Sequence, residues 1–202
     1  MNVLGVQYSV VGFFFSLFIL LLILTHCSNH DWDFGLGIFD KLIKGTKAAW
    51  ILSNVVDKDT NGPFFSCTRY EIVEIGGWKI GLIGIVEKDW VSTLSFDTSH
   101  LEFLDMVNTS KELCQTLKEK EKVDFVVALT HSRETNDIVL AKNVKDISLI
   151  LGGHDHYIVN RKVRKTKNQK FCQKLTFDIQ GEWDPHFEEW SGFQVSLPGE
   201  DF

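Results

Sequence analysis

An α/β layered domain, preceded by a hydrophobic N-terminal segment, is the fold class this sequence predicts, and three observations predict it. The runs VDFVVALT (123–130) and ISLILGG (147–153) are continuously apolar rather than alternating, the pattern of strands covered on both faces. The helix-like stretch NDIVLAKNV lies between them, so strand and helix alternate. Far upstream, VVGFFFSLFILLLIL (10–24) carries no charge at all.

In chain order, the low-polarity stretch from Val3 to Leu24 comes first. At about 1.5 Å per residue it is long enough to cross a ~30 Å hydrocarbon core, and its densest part has the length of the apolar h-region of a secretory signal. A buried strand or core helix is the alternative. THCSNHDWDFG follows as a polar turn, and in GLGIFDKLIKG the residues Leu36, Phe39, Leu42 and Ile43 recur at helical spacing. AAWILSNVV (48–56), bounded by DKDTNGP, reads as one strand ending in a loop. YEIVEIGGWKIGLIGIVE (70–87) is a hairpin about Gly76-Gly77. Thr109 and Glu112 match a capping box ahead of a helix through about Lys122. The two buried strands come next, stopping before His131 and His154, and FCQKLTFDIQ reads as a further strand.

The chain has 202 residues, 44% hydrophobic and 24% charged, which fits one domain with a sizeable core. Its net charge of −6 argues against nucleic acid as a partner, because phosphate contacts need a basic face. Residues 161–170 nonetheless form a basic run, and the chain beyond Lys174 is acidic; such runs read as a solvated loop and tail. Cys27, Cys67, Cys114 and Cys172 are too scattered for a zinc knuckle or a disulfide framework. Three parts follow: a hydrophobic anchor or signal (1–27), a layered domain (28–160), and a basic loop with an acidic extension (161–202).

In α/β layers, ligands gather at the carboxyl ends of strands. The polar residues that directly follow apolar runs are Asn29, His30, Asp31 and Asp33, then Asn54, His131, and His154 with His156. Imidazole is the commonest ligand of zinc-, manganese- and iron-type ions, with carboxylate or amide oxygens completing harder sites. Any one of these residues alone is more simply a satisfied turn residue.

Taken in order, SNHDWDFG, ILSNVV, ALTHSRETNDIVLAKNV and LILGGHDHY resemble the metallophosphoesterase superfamily, in particular its 5′-nucleotidase branch. The resemblance implies a β-sandwich flanked by helices, with divalent ions (Zn, Mn, Mg or Fe) at the strand ends, and hydrolysis of phosphoric monoesters by metal-activated water. It implies Asn29, His131 and His154 as ligands of one ion, His156 as a ligand of the other, and His30 with Asp33 as the catalytic pair. Asn54 and Arg133 would support the pocket, and Asp31 has no role. The substrate would be a small phosphate ester, with nucleotides as the first expectation. The family's D-x-H and G-D motifs, which supply the remaining ligands, have no counterpart ahead of Asn29. The resemblance is therefore to an N-terminally incomplete member. Its alternatives are a single bound ion, or an inactive remnant that binds a metal or a partner at the membrane.

Overall fold

The computed structural model describes residues 24–26, 29–45, 49–89, 97–155, 159–163 and 172–176, with side chains described for 31–45, 49–89 and 97–155. Among these, six strands form one sheet. Two are the hairpin strands, Tyr70–Ile75 (β5) and Trp78–Val86 (β6), and two are the buried strands, Phe125–Ser132 (β8) and Ile147–His154 (β9). Val159–Val163 (β10) and Cys172–Thr176 (β11) complete it, in the order β10-β11-β9-β8-β6-β5. The four inner strands, β11, β9, β8 and β6, run parallel, with Val86 opposite His131 and His131 opposite Gly153. The hairpin turns at Gly76 and Gly77, both at positive φ (59° and 84°), where a side chain would be strained.

Parallel strands need crossovers, and helices supply them. Met106–Glu119 (α2) leads into β8, and Glu134–Asn143 (α3) joins β8 to β9. Their apolar sides, Leu113 and Leu117 of α2 with Leu140 and Ala141 of α3, pack on Ile83, Ile85, Val126, Ala128, Ile147 and Ile150. Gly81 lets α2 come this close, since a Cβ there would stand 2.9 Å from the Leu117 methyl groups.

The opposite face of the sheet, Leu82, Val127, Leu129 and Leu151, packs on Ile51 of a second layer. That layer holds Leu24–His26 (β1) paired parallel with Ala49–Ile51 (β2), and Val55–Asp57 (β3) between Gly62–Pro63 (β4) and Leu101–Phe103 (β7). Helix α1, Leu36–Gly45, adds Phe39 and Ile43 to an aromatic core with Trp32, Trp50 and Phe64. The architecture is thus mixed α/β, two β layers with α2 and α3 outside the larger sheet.

The single strand expected over 48–56 is two strands, because the chain bends at Ser53-Asn54 to bond β6. The Ser53 N–H donates to the Gly84 carbonyl, and the Asn54 carboxamide accepts from the Val86 N–H while donating to the carbonyls of Val86 and Leu104. Sequence numbers rise together along these contacts, so β2 points the same way as β6. The capping box expected at Thr109 and Glu112 is also corrected. Asp105 caps α2, its carboxylate accepting the Asn108 N–H at 2.8 Å, and Thr109 is buried inside the first turn. Strands β8 and β9 run through His131 and His154 rather than stopping before them.

The expected anchor, Val3–Leu24, lies outside the described residues except at Leu24, which belongs to β1. No helix among the described residues is long and apolar enough to cross a membrane. The basic run at 161–170 begins in β10, as Arg161, Lys162 and Val163, and its remainder lies outside the described residues.

Candidate functional site

The carboxyl ends of β1, β2, β6, β8 and β9 lie along one edge of the two layers, because β1 is parallel to β2, β2 follows β6, and β6, β8 and β9 are parallel. Those of the polar residues singled out in the sequence that the structure describes follow strands ending on this edge. After β1 comes the 3₁₀ turn Asn29–Trp32, after β2 comes Ser53-Asn54, and at the ends of β8 and β9 stand His131 and His154.

The two imidazoles converge. His154 Nδ1 and His131 Nε2 are 3.3 Å apart, with ring centroids 5.1 Å apart and planes near perpendicular at 80°. At this distance a ring N–H can donate to the other ring's nitrogen. It is also the spacing of two imidazoles on one ion, since bonds of about 2.0–2.1 Å at a near-tetrahedral angle separate the nitrogens by about 3.3 Å. The pair therefore fits a divalent metal. Among the described residues no group of three or more His, Cys, Asp or Glu side chains gathers around such a position.

Backbone geometry brings the rings together. Gly153 lies opposite His131 in the ladder, and a Cβ on it would stand 3.2 Å from His131 Nδ1, so glycine leaves the ring its place. His154 has φ +79°, a conformation that costs a non-glycine residue on the order of 1 kcal/mol or more. Such strain at a strand end turns the side chain in a direction the pleat alone would not give it.

The turn Asn29–Trp32 is held by Trp32, which is fully buried against Phe39 and Phe64 at ring distances of 5.6 and 5.3 Å. Gly35, at φ +82°, donates its N–H to the Trp32 carbonyl and closes the turn into α1. Asp33 is exposed and Asp31 half-buried, while the Asn29 and His30 side chains and all of His156 lie outside the described residues. The structure thus joins His131 to His154 directly, and topology carries the Asn29–Asp33 block to the same edge.

Asn54, expected to support the pocket, is a buried staple whose amide is consumed by Val86 and Leu104. Arg133 is half-exposed, its Nη1 3.0 Å from Glu87 and 3.4 Å from Asp89. Glu87 is a residue the sequence reading passed over. It is buried directly after β6 and also accepts the Arg133 N–H at 2.9 Å and the Asn136 amide. Asp137, fully buried in α3, accepts the Ser132 hydroxyl, and Asp155 accepts the Glu134 N–H. The signal that found the histidines, a polar residue directly after an apolar strand, applies equally to Glu87.

No family model matches the chain. Its relatives in sequence include the trifunctional nucleotide phosphoesterase protein YfkN of Bacillus subtilis, 36% identical over 92 residues, 46% of this chain and 6% of that protein. A snake venom 5′-nucleotidase of Naja atra is 33% identical over 132 residues, 62% of this chain and 24% of the relative. An apyrase of Tabanus yao is 31% identical over 131 residues, 63% and 23%. The chain thus spans a quarter or less of these relatives. In fold it resembles a 5′-nucleotidase precursor from Thermus thermophilus, with a TM-score of 0.67 at 21% identity over 74% of this chain and 32% of that one. It also resembles the NAD nucleotidase of Haemophilus influenzae, with a TM-score of 0.61 at 21% identity over 72% and 32%.

Proposed function

We propose, for a chain related in sequence and fold to the 5′-nucleotidase branch of the metallophosphoesterases, a metal-dependent hydrolysis of phosphoric monoesters, nucleotides first among them. The observation that carries the reading is the pair of imidazole nitrogens 3.3 Å apart at the strand-end edge, which fits two ligands of one divalent ion. His131 and His154 would hold that ion, with Asn29 as a further ligand of it and His156 as a ligand of a second. When bound, such an ion lowers the pKa of its water and offsets charge on phosphoryl oxygens. His30 and Asp33 are the proposed catalytic pair, the imidazole contacting the phosphate or its leaving oxygen and the carboxylate orienting it. The apolar run Val3–Leu24 enters the proposal as a membrane anchor or secretory signal.

The alternative reading is an ion held without turnover. A single experiment separates the two. The full chain is loaded with Mn²⁺ or Zn²⁺, its metal content measured, and its hydrolysis of an aryl phosphate and of a nucleoside monophosphate followed. The first reading expects uptake with hydrolysis, both lost in His131→Ala and His154→Ala. Uptake without hydrolysis selects the second, and absence of uptake refutes both.

A further inference from the structure

The spacer between two candidate ligands, Asp155, does something unexpected of a spacer. Its carboxylate reaches across to α3 and accepts the backbone N–H of Glu134, the first residue of that helix. Helix N-termini need acceptors for their free N–H groups, and the residue at the start of a helix usually supplies one. Here that residue is Arg133, whose side chain makes no capping bond. The acceptor comes instead from the end of the neighbouring strand, 21 residues along the chain, where the helix dipole also favours a negative charge.

The consequence lies in what this bond ties together. Helix α3 starts three residues after His131, and Asp155 directly follows His154. The bond therefore joins the segments carrying the two imidazoles. Glu87 makes the matching attachment on the other side of β8, holding the Arg133 N–H and the Asn136 amide. His154 sits between two constraints, with Gly153 packed on His131 and Asp155 fixed to α3. A strained φ of +79° persists where the surroundings over-determine it, and these two contacts are those surroundings.

We propose that Asp155 is a positioning residue, whose carboxylate, bound to the start of α3, sets the His131–His154 spacing and so the affinity of the pair for a divalent ion. This rests on the reading of the two histidines as ligands of one ion. Outer hydrogen-bond partners of metal ligands typically change affinity by roughly 10–100-fold when removed, and Asp155→Ala is expected in that range. Asp155→Asn keeps an oxygen acceptor for the Glu134 N–H and is expected to stay close to the parent chain.

The test measures three quantities on the full chain and on both variants: Co²⁺ affinity by titration, hydrogen exchange at the Glu134 amide, and the proton–proton contact between the two imidazoles by NMR without metal. Asp155→Ala is expected to exchange faster at Glu134, lose the inter-ring contact and bind Co²⁺ roughly 10–100-fold more weakly, with all three largely kept in Asp155→Asn. Faster exchange with unchanged inter-ring contact would reduce Asp155 to a helix cap and overturn the proposal. So would Asp155→Asn losing affinity as fully as Asp155→Ala while keeping the ring contact, since the carboxylate would then act by charge or as a ligand. If the parent chain takes up no Co²⁺, the metal reading fails on its own. The metal-free ring contact still decides whether Asp155 sets the spacing.

Discussion

Gly153→Ala is a small perturbation aimed at one imidazole. The added Cβ would stand 3.2 Å from His131 Nδ1 and 3.5 Å from the Thr130 carbonyl oxygen, and ordinary van der Waals contact begins at 3.4 Å. Relief therefore requires the ring to retreat by at least the difference, 0.2 Å, away from a strand whose backbone is fixed in the ladder. Metal–ligand distances are held to within about 0.2 Å, so a displacement of this size uses the whole tolerance of the His131 bond. We predict a roughly tenfold loss of Co²⁺ or Mn²⁺ affinity, equivalent to about 1.4 kcal/mol. Global stability should change by less than about 1 kcal/mol, because the reduced freedom of the unfolded chain offsets the crowding. Metal titration alongside urea unfolding separates the two effects. A folded variant with parental affinity would refute the claim that Gly153 sets the His131 ring.

Asn54→Ala should destabilise the fold by about 3 kcal/mol in urea melts, since it strands the Val86 N–H and two carbonyls. An effect confined to metal affinity would contradict its role as a staple. Asp105→Ala should cost about 1 kcal/mol as a lost cap, while Glu112→Ala, which breaks only the exposed pair with Arg69, should cost less than about 0.5 kcal/mol. The reverse order would restore the capping box. The Asp57 carboxyl is held below its ordinary range first by the Thr60 backbone N–H and also by that of Asp59. A carboxylate whose folded pKa is depressed stabilises above its unfolded pKa, and that stability fades as pH falls through the folded value. The gap between Asp57→Ala and the parent chain should thus be full at neutral pH and shrink below pH 3.8, and a gap independent of pH would refute this.

His131 and His154 were legible in the sequence because each ends a continuous apolar run, and a parallel ladder places such ends side by side. The hairpin was legible from Gly76-Gly77 for a similarly local reason, as only residues tolerant of positive φ turn there. The polar attachments were not legible. Glu87 meets Arg133 across 46 positions and Asp155 meets Glu134 across 21, and no local pattern encodes a partner at that separation. For helix α2 the capping box pointed to Thr109, whereas the cap is Asp105. The choice fell to the backbone, extended at Asp105 (φ −60°, ψ 127°) and already helical at Thr109. The bend at Asn54 was not legible because ILSNVV differs from an uninterrupted strand only in what Asn54 finds to bond on β6.

The order β8-α3-β9 also has a kinetic side. His131 and His154 are 23 residues apart and belong to one strand–helix–strand unit, whereas Asn29 reaches the same edge only after a separation of 102 residues is closed. With closure entropy growing as (3/2)RT ln n, the longer loop costs about 1.3 kcal/mol more. That term alone favours closing the histidine pair ahead of the Asn29–Asp33 block. In that order, an ion present during folding would meet two imidazoles first, and the rest of the edge would close over it.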